Sequence, residues 1–586
     1  MALARVQVDR VARFVAGTLL LMPALVAFAL TLWAPALRTL ALSLQAAPLG
    51  RPAHFAGLAN YARMAADPAF ATALEHSLLV ALVRVVALAL PAAVAALCSR
   101  ASQAGRHGAR LALGVAAALS APVALALLWR LAGQQVPWLQ GLDLADRTLA
   151  LRSYLGLEAF YFLGLGGALT ATALLLARTV HTRRALFLLA AITAVASALG
   201  SFTLPFTATG GGPAEATLTL PIYAFRTAFQ HLRLGQAAAQ ASVPLLACTA
   251  LGLAFGAWSD WLRLRLVPAG REGAYEPPHR AREREPRSTR SGAGKGGVET
   301  EPPGTPRIST KDLVLESLGA LCGKGLLALY LAPFLLAYLW SMGQAFYPVG
   351  RPLPRAAEDL MPGLSLLNGT LVPILTTLCV GLPLAYLAAL SLSLLRPFGR
   401  RGSRAVYLAL LAAGLAPPVA VGIGLYDGAR AAGLYNSPLA PALPFVASAP
   451  ALYLFMLYFD GRVPLLAKAI RAGQPPLTAF FQLAFGPSLQ VAALAGAVTL
   501  LIGAQSLLWQ LLVLAQRDLM PLSLRLAVLQ GGLAGERGAL GAGCWLVLTV
   551  WGAATILAWA LLEQLVLRRF EVVAERFCRR QAPGVE

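Results

Sequence analysis

The sequence predicts an all-α integral membrane protein with about twelve transmembrane helices in two six-helix halves. Three observations predict it. Of the 586 residues, 58% are hydrophobic and only 13% charged, about half the charge a soluble chain of this size carries. Mean hydropathy is +0.67. Apolar runs long enough to span a bilayer, about 20 residues each, recur on both sides of one hydrophilic stretch. Arginine and lysine gather in alternate connections, the bias that orients membrane proteins.

The runs fall in order at 14–35, 78–98, 111–131, 154–177, 185–206 and 236–258, then at 325–346, 370–394, 405–425, 441–459, 489–514 and 541–566. The 154–177 and 441–459 segments are the weaker ones. The first run follows Arg5, Arg10 and Arg13 but exceeds the apolar core of a secretory signal, so it reads as a retained span. With the N-terminus inside, the inner connections hold Arg100, Arg106 and Arg110; Arg178, Arg183 and Arg184; Arg396, Arg400, Arg401 and Arg404; Arg462, Lys468 and Arg471; and Arg568, Arg569, Arg576, Arg579 and Arg580. The outer connections are poorer in charge or carry acids, such as Asp67, Glu75, Asp143, Asp146, Glu358 and Asp359. Both termini are therefore expected in the cytoplasm. The net charge of +22 follows from this bias, and no nucleic-acid partner is implied.

Three segments result: a first half over 1–262, a basic linker over 263–312 and a second half over 313–586. The linker holds eleven Lys/Arg against six Glu between Arg263 and Lys311, with almost no aliphatic side chains. Such a composition cannot bury enough apolar surface to fold, so a disordered cytoplasmic tether is expected. Its basic run at Arg280–Arg290 is of a kind that also touches anionic lipid.

Chemistry-bearing constellations are scarce. Six scattered cysteines (Cys98, Cys248, Cys322, Cys379, Cys544 and Cys578) lack CxxC spacing and read as packing residues. Six histidines form no metal-ligand pattern. The glycines of Gly292–Gly297, with Lys295, lack the spacing of a phosphate loop. No catalytic, metal or cofactor site is expected. Polar residues inside spans are costly and often functional; here they are Arg84, Glu158, Ser201, Gln505, Ser506 and Gln510. Arg84 either snorkels or pairs with Glu158, and the sequence leaves that open.

The most specific pattern is FTATGGGPAEATLTLPIYAFRTAFQHLRLGQAAAQASV over 206–243. In it Thr209, Gly210, Gly211, Gly212 and Pro213 make a turn, followed in order by Leu220-Pro221, Tyr223, Arg226-Thr227-Ala228-Phe229 and Gly235. This closely resembles the segment before the last span in the maltose-type membrane subunits of binding-protein-dependent carbohydrate ABC importers. Pro23–Leu40, Phe55–Tyr61 with Asp67–Phe70, and Ala121–Arg130 resemble earlier parts of the same subunit. Asn368–Ala385, the stretch from Gly486-Pro487, Leu529–Gly532 and the helix from Gly541 resemble its partner subunit less sharply. The resemblance covers nearly the whole chain except the linker.

The resemblance implies a permease with both membrane subunits fused, in a bacterial cytoplasmic membrane. It would move a sugar or related solute by alternating access. Its implied partners are a dimer of ABC ATPase subunits, a periplasmic or lipid-anchored solute-binding protein at the external 209–213 motif, and membrane lipid. Ser201 and Phe202, with Gln505 and Ser506 at matching places, would line the translocation path; structural hydrogen bonding between helices is the alternative. The family's ATPase-coupling loop falls on 460–488, at Ala467, Ala469, Arg471, Gly473 and Phe480. Its acidic positions are Ala467 and Ala472 here, and its Leu-Pro is Phe485-Gly486. In the first half only Ala177–Arg184 remains of that loop, about two helical turns. A permease coupled through one loop is thus one reading, and a degenerate, non-transporting membrane scaffold the other. A secondary transporter would need intramembrane acids that are nearly missing.

Overall fold

A computed structural model describes residues 2–48, 52–135, 144–269, 310–346, 367–529 and 537–578. Outside the described residues lie most of the expected tether (270–309, with Arg280–Arg290 and Gly292–Gly297), Asp143, Glu358, Asp359 and Gln530–Gly532.

The described chain is an all-α membrane protein. Ten helical spans are long and apolar enough to cross a bilayer: Val11–Ser43, Pro68–Cys98, Ala150–Leu176, Val180–Leu199, Leu234–Leu262, Leu321–Ala345, Gly369–Leu395, Ala440–Arg471, Pro476–Gly503 and Leu540–Leu567. Two bent pairs bring the count to twelve. Not more than 56% of the most apolar window of any of the ten is buried within the protein. Leu19, Leu30, Val86, Leu336 and Leu557 remain 63–67% exposed, a pattern suited to lipid and not to water.

The expected third span of each half is broken. Gln103–Ala118 and Pro122–Gly133 meet at 70°, and Gly399–Gly414 and Pro418–Ala431 at 89°. The cause is local: a proline removes a backbone donor and clashes with the preceding turn, and Pro122, Pro417 and Pro418 stand at the breaks. The fifth spans begin and end earlier than expected. The 185–206 segment stops at Leu199 and restarts as Thr203–Ala208. The 489–514 segment stops at Gly503 and restarts as Leu508–Val513.

The expected 460–488 loop is mostly helix. Ala440–Arg471 runs through it, with Pro464 tolerated inside the Ala449–Arg471 helix, and Pro476–Gly503 begins soon after. Only a short turn remains, where Gly473 at φ +89° supplies the left-handed backbone that ends a helix.

The start of the expected disordered tether is a strand. Leu264–Pro268 pairs antiparallel with Phe570–Ala574, from Leu264 opposite Ala574 to Pro268 opposite Phe570. Leu264 and Leu266 are buried while Arg265 and Val267 are partly exposed, the alternation of a half-buried strand. A second, two-residue ribbon pairs Gln45–Ala46 with His54–Phe55.

The halves interlock. Val11–Ser43 packs on the second half, against Leu382–Leu390 and Pro418–Ala431. Ser391 Oγ donates to the Gly17 carbonyl at 2.7 Å and Thr39 Oγ1 to the Ala420 carbonyl at 2.6 Å. In return Thr310–Phe346 packs on Ala89–Cys98 and Gln103–Ala118 of the first half. The largest buried cluster runs across both, from Leu42 through Val419 to Leu548. Of the described cysteines none is disulfide-bonded; Cys98, Cys248 and Cys544 are buried, but Cys322 and Cys379 are exposed and so do not pack an interior.

Candidate functional site

Breaks in spans free backbone groups and admit polar surface, and such discontinuous helices build the binding sites of many membrane transporters. Here the breaks converge. A cavity of about 570 Å³ lies between the halves, within the range of small-molecule sites. One wall carries Gly200, Ser201, Phe202 and Thr203 from the gap after Val180–Leu199. The facing wall carries Gln505 and Ser506 from the matching gap after Pro476–Gly503, with Ala416, Pro417 and Pro418 from the 89° bend. All four residues expected to line a path, Ser201, Phe202, Gln505 and Ser506, therefore border one space.

The two gaps are bonded to each other. Thr203 Oγ1 donates to the Gln505 carbonyl at 3.1 Å and accepts from the Leu507 amide at 3.1 Å. Tyr161 OH donates to Gln505 Oε1 at 2.5 Å. A π-helical turn at Leu163–Gly167 interrupts the Ala150–Leu176 helix where Leu165 and Gly166 border the cavity.

Arg84 reaches the same wall, and the question left open by the sequence is answered: it pairs with Glu158. Its Nη2 lies 2.7 Å and its Nε 3.1 Å from Glu158 Oε2. Nη1 donates to Ser197 Oγ at 2.9 Å and Nη2 to Ser201 Oγ at 3.0 Å. The other carboxylate oxygen accepts from Tyr154 OH at 2.7 Å and Ser201 Oγ at 3.1 Å. Glu158 is fully buried and Arg84 is 4% exposed. A buried pair of this kind needs excellent geometry and further hydrogen bonds to offset desolvation, and both oxygens are doubly bonded here.

The rest of the lining is largely apolar, with hydroxyls of Thr170, Thr193, Ser197 and Tyr453. Among the described residues the cavity wall holds no histidine, cysteine or carboxylate, and no group of three or more metal-ligating side chains occurs. The site presents one guanidinium edge, several hydroxyls and a carboxamide inside an apolar shell. That set suits a neutral polyhydroxylated molecule, which needs many weak donors and acceptors beside apolar faces.

The 209–213 motif follows the Thr203–Ala208 helix and does not line the cavity. Thr209 Oγ1 lies 2.5 Å from Thr217 Oγ1 and accepts from the Gly211 amide at 3.2 Å. Gly211, at φ +98°, could carry no Cβ without meeting Leu218, Ile222 and Arg226 at 3.2–3.3 Å. The segment after it is not an open loop. Thr217–Phe225 is buried, docked through a hydrogen bond from the Leu220 amide to Ser77 Oγ at 2.9 Å and one from Tyr223 OH to Asp67 Oδ2 at 2.5 Å. Only Ala214, Glu215 and Gln230–Arg233 stay exposed.

The coupling-loop residues sit elsewhere. Ala467, Ala469 and Arg471 occupy the last turns of the Ala440–Arg471 helix, Gly473 the turn, and Phe480 the start of the next helix. Together they form the tip of a helical hairpin. The first-half counterpart, Ala177–Thr179, is a tight turn covered by Val572, whose carbonyl accepts from the Arg178 amide at 3.2 Å. The sequence reading missed Tyr161, Thr203 and Tyr453 as wall residues; Pro417-Pro418 was a signal for the 89° bend that borders the same cavity. No family model matches the sequence, and no curated protein matches it either.

Proposed function

We propose that the chain is the fused membrane-spanning permease of an ABC importer, moving a sugar or related polyhydroxylated solute by alternating access driven by a separate ATPase. The observation that carries this reading is the cavity between the halves, bordered by the equivalent breaks Gly200–Phe202 and Gly503–Ser506. A path built from corresponding breaks in two halves can open to either side as the halves rock.

The hairpin tip supports coupling. Ile470 and Leu477 are 45% and 73% exposed there, beside Lys468 and Arg471, and apolar side chains surrounded by charge mark contact surfaces. The second reading, a permease-derived scaffold that does not transport, is favoured by the covered turn at Ala177–Thr179.

The test is purification of the tagged chain from its native membrane, with identification of co-purifying proteins and assay of ATP hydrolysis. A stoichiometric ATPase pair and a solute-binding protein are expected. Ile470→Asp with Leu477→Asp should strip the ATPase while leaving thermal unfolding unchanged. Recovery of the chain without any ATPase would transfer the case to the scaffold reading.

A further inference from the structure

A second cavity, of about 300 Å³, opens among clustered arginines and shares no lining residue with the first. Its wall contains six arginines, Arg263, Arg265, Arg396, Arg400, Arg404 and Arg576, against two aspartates, Asp260 and Asp460. The formal excess is four positive charges around one concavity.

Ordinary inner-face arginines fan out toward water and headgroups. These six line one concavity. Arg263 and Arg396 end their helices at φ +51° and +52°, a left-handed conformation that costs a side-chain-bearing residue roughly 1–2 kcal/mol and recurs where a site over-determines it. Neither is glycine, the residue that would relieve the cost.

Part of the charge is already answered. Arg404 Nη2 lies 2.8 Å from both Asp260 and Asp460, and Arg265 reaches Glu575 at 2.9 Å. Arg576 stacks over Trp261 at 3.8 Å, which fixes the guanidinium plane and leaves its edge for a ligand. Arg263 and Arg400 are exposed, with no side-chain partner among the described residues. Burial pulls the Arg396 guanidinium below its ordinary value; Arg404, Arg400 and Arg265 push the same way, and Asp460 opposes them.

We propose that this cavity binds a phosphate-bearing anion, either a lipid headgroup or a free phosphate. Guanidinium forks match the oxygens of phosphate in pairs, and a cavity of about 300 Å³ has room for such a group. The ligand would bridge the end of the Leu234–Leu262 helix, the Gly369–Leu395 to Gly399–Gly414 turn and Arg576 in the short Glu575–Cys578 helix, fastening the halves where the paired strands join them. Occupancy would then bias how the halves move, a regulatory property separate from solute passage.

The experiment titrates the purified full chain in detergent with inorganic phosphate, short-chain phosphatidylglycerol and short-chain phosphatidylcholine, following Trp261 fluorescence and thermal unfolding. Saturable binding of phosphate or phosphatidylglycerol is expected, weakened about tenfold or more in Arg263→Gln/Arg400→Gln. Both residues are exposed, so the variant should elute and melt like wild type without ligand. Binding of both probes identifies a free-anion site, and binding of phosphatidylglycerol alone a headgroup site. Absence of binding by either, or equal binding in the variant, overturns the proposal. Arg517→Gln, outside the cavity, should bind like wild type.

Discussion

Arg84 and Glu158 show how much hangs on single side chains in an apolar wall. Removing one partner of a buried pair leaves an uncompensated charge, at a cost of about 3–5 kcal/mol. Glu158→Gln should therefore lower the unfolding temperature of the detergent-purified chain strongly, and Arg84→Met/Glu158→Leu should regain most of the loss. If the double variant melts no higher than the single one, the pair is not the unit that holds the wall. On the proposed permease reading, the same double variant should be defective in uptake, because it removes the guanidinium that borders the cavity. Both residues were visible in the sequence as polar exceptions within apolar runs. Their pairing was not, because residues 74 positions apart are joined only by the packing of Pro68–Cys98 on the Ala150–Leu176 helix. Ser201 and Gln505 were legible for another reason: each follows a Gly at the end of an apolar run, where a helix gives way.

At the scale of elements, crossings set tolerance more than composition does. A Cβ on Gly424 would stand 2.0 Å from the Pro35 carbonyl and 2.8 Å from Thr39 Oγ1, where Pro418–Ala431 crosses Val11–Ser43. Four residues on, Gly428 has nothing within 4 Å of the same added atom. Gly424→Ala should cost about 1–3 kcal/mol, since a backbone carbonyl cannot step aside. Gly428→Ala should be neutral or stabilising by up to about 1 kcal/mol, the helix-propensity gain. Thermal unfolding of both variants checks this; equal effects would mean that the crossing yields. Hydropathy made the twelve apolar runs legible, but it is blind to direction. Hence the 70° and 89° bends and the early ends of the fifth spans escaped it, although Pro122 and Pro417-Pro418 stood in the sequence. The strand Leu264–Pro268 escaped because five residues in an arginine-rich stretch carry little hydropathy; its alternating Leu264 and Leu266 only acquire meaning beside Phe570–Ala574.

For the whole molecule, the question is what joins the halves. The linker does so covalently, and folded contacts cross between the halves as well. Arg110 of the first half holds Glu563 of the second through two hydrogen bonds of 2.8 Å, and Trp559 Nε1 donates to the Arg110 carbonyl at 2.8 Å. The paired strands add a five-residue ladder, and each half lends its first helix to the other. An interface that resembles a divided core does not separate on loss of a tether. A protease site placed within 270–309 should therefore give two fragments that co-elute in mild detergent, with unfolding temperature close to that of the uncut chain. Adding Val572→Asp, which puts a charge on a buried strand position, should loosen the cut pair more than the uncut chain, because the tether keeps the halves at high effective concentration. Fragments that separate on cutting alone would show that the linker, and not the shared core, holds the molecule together; fragments that persist would show that its covalent span can be varied without losing the cavity between the halves.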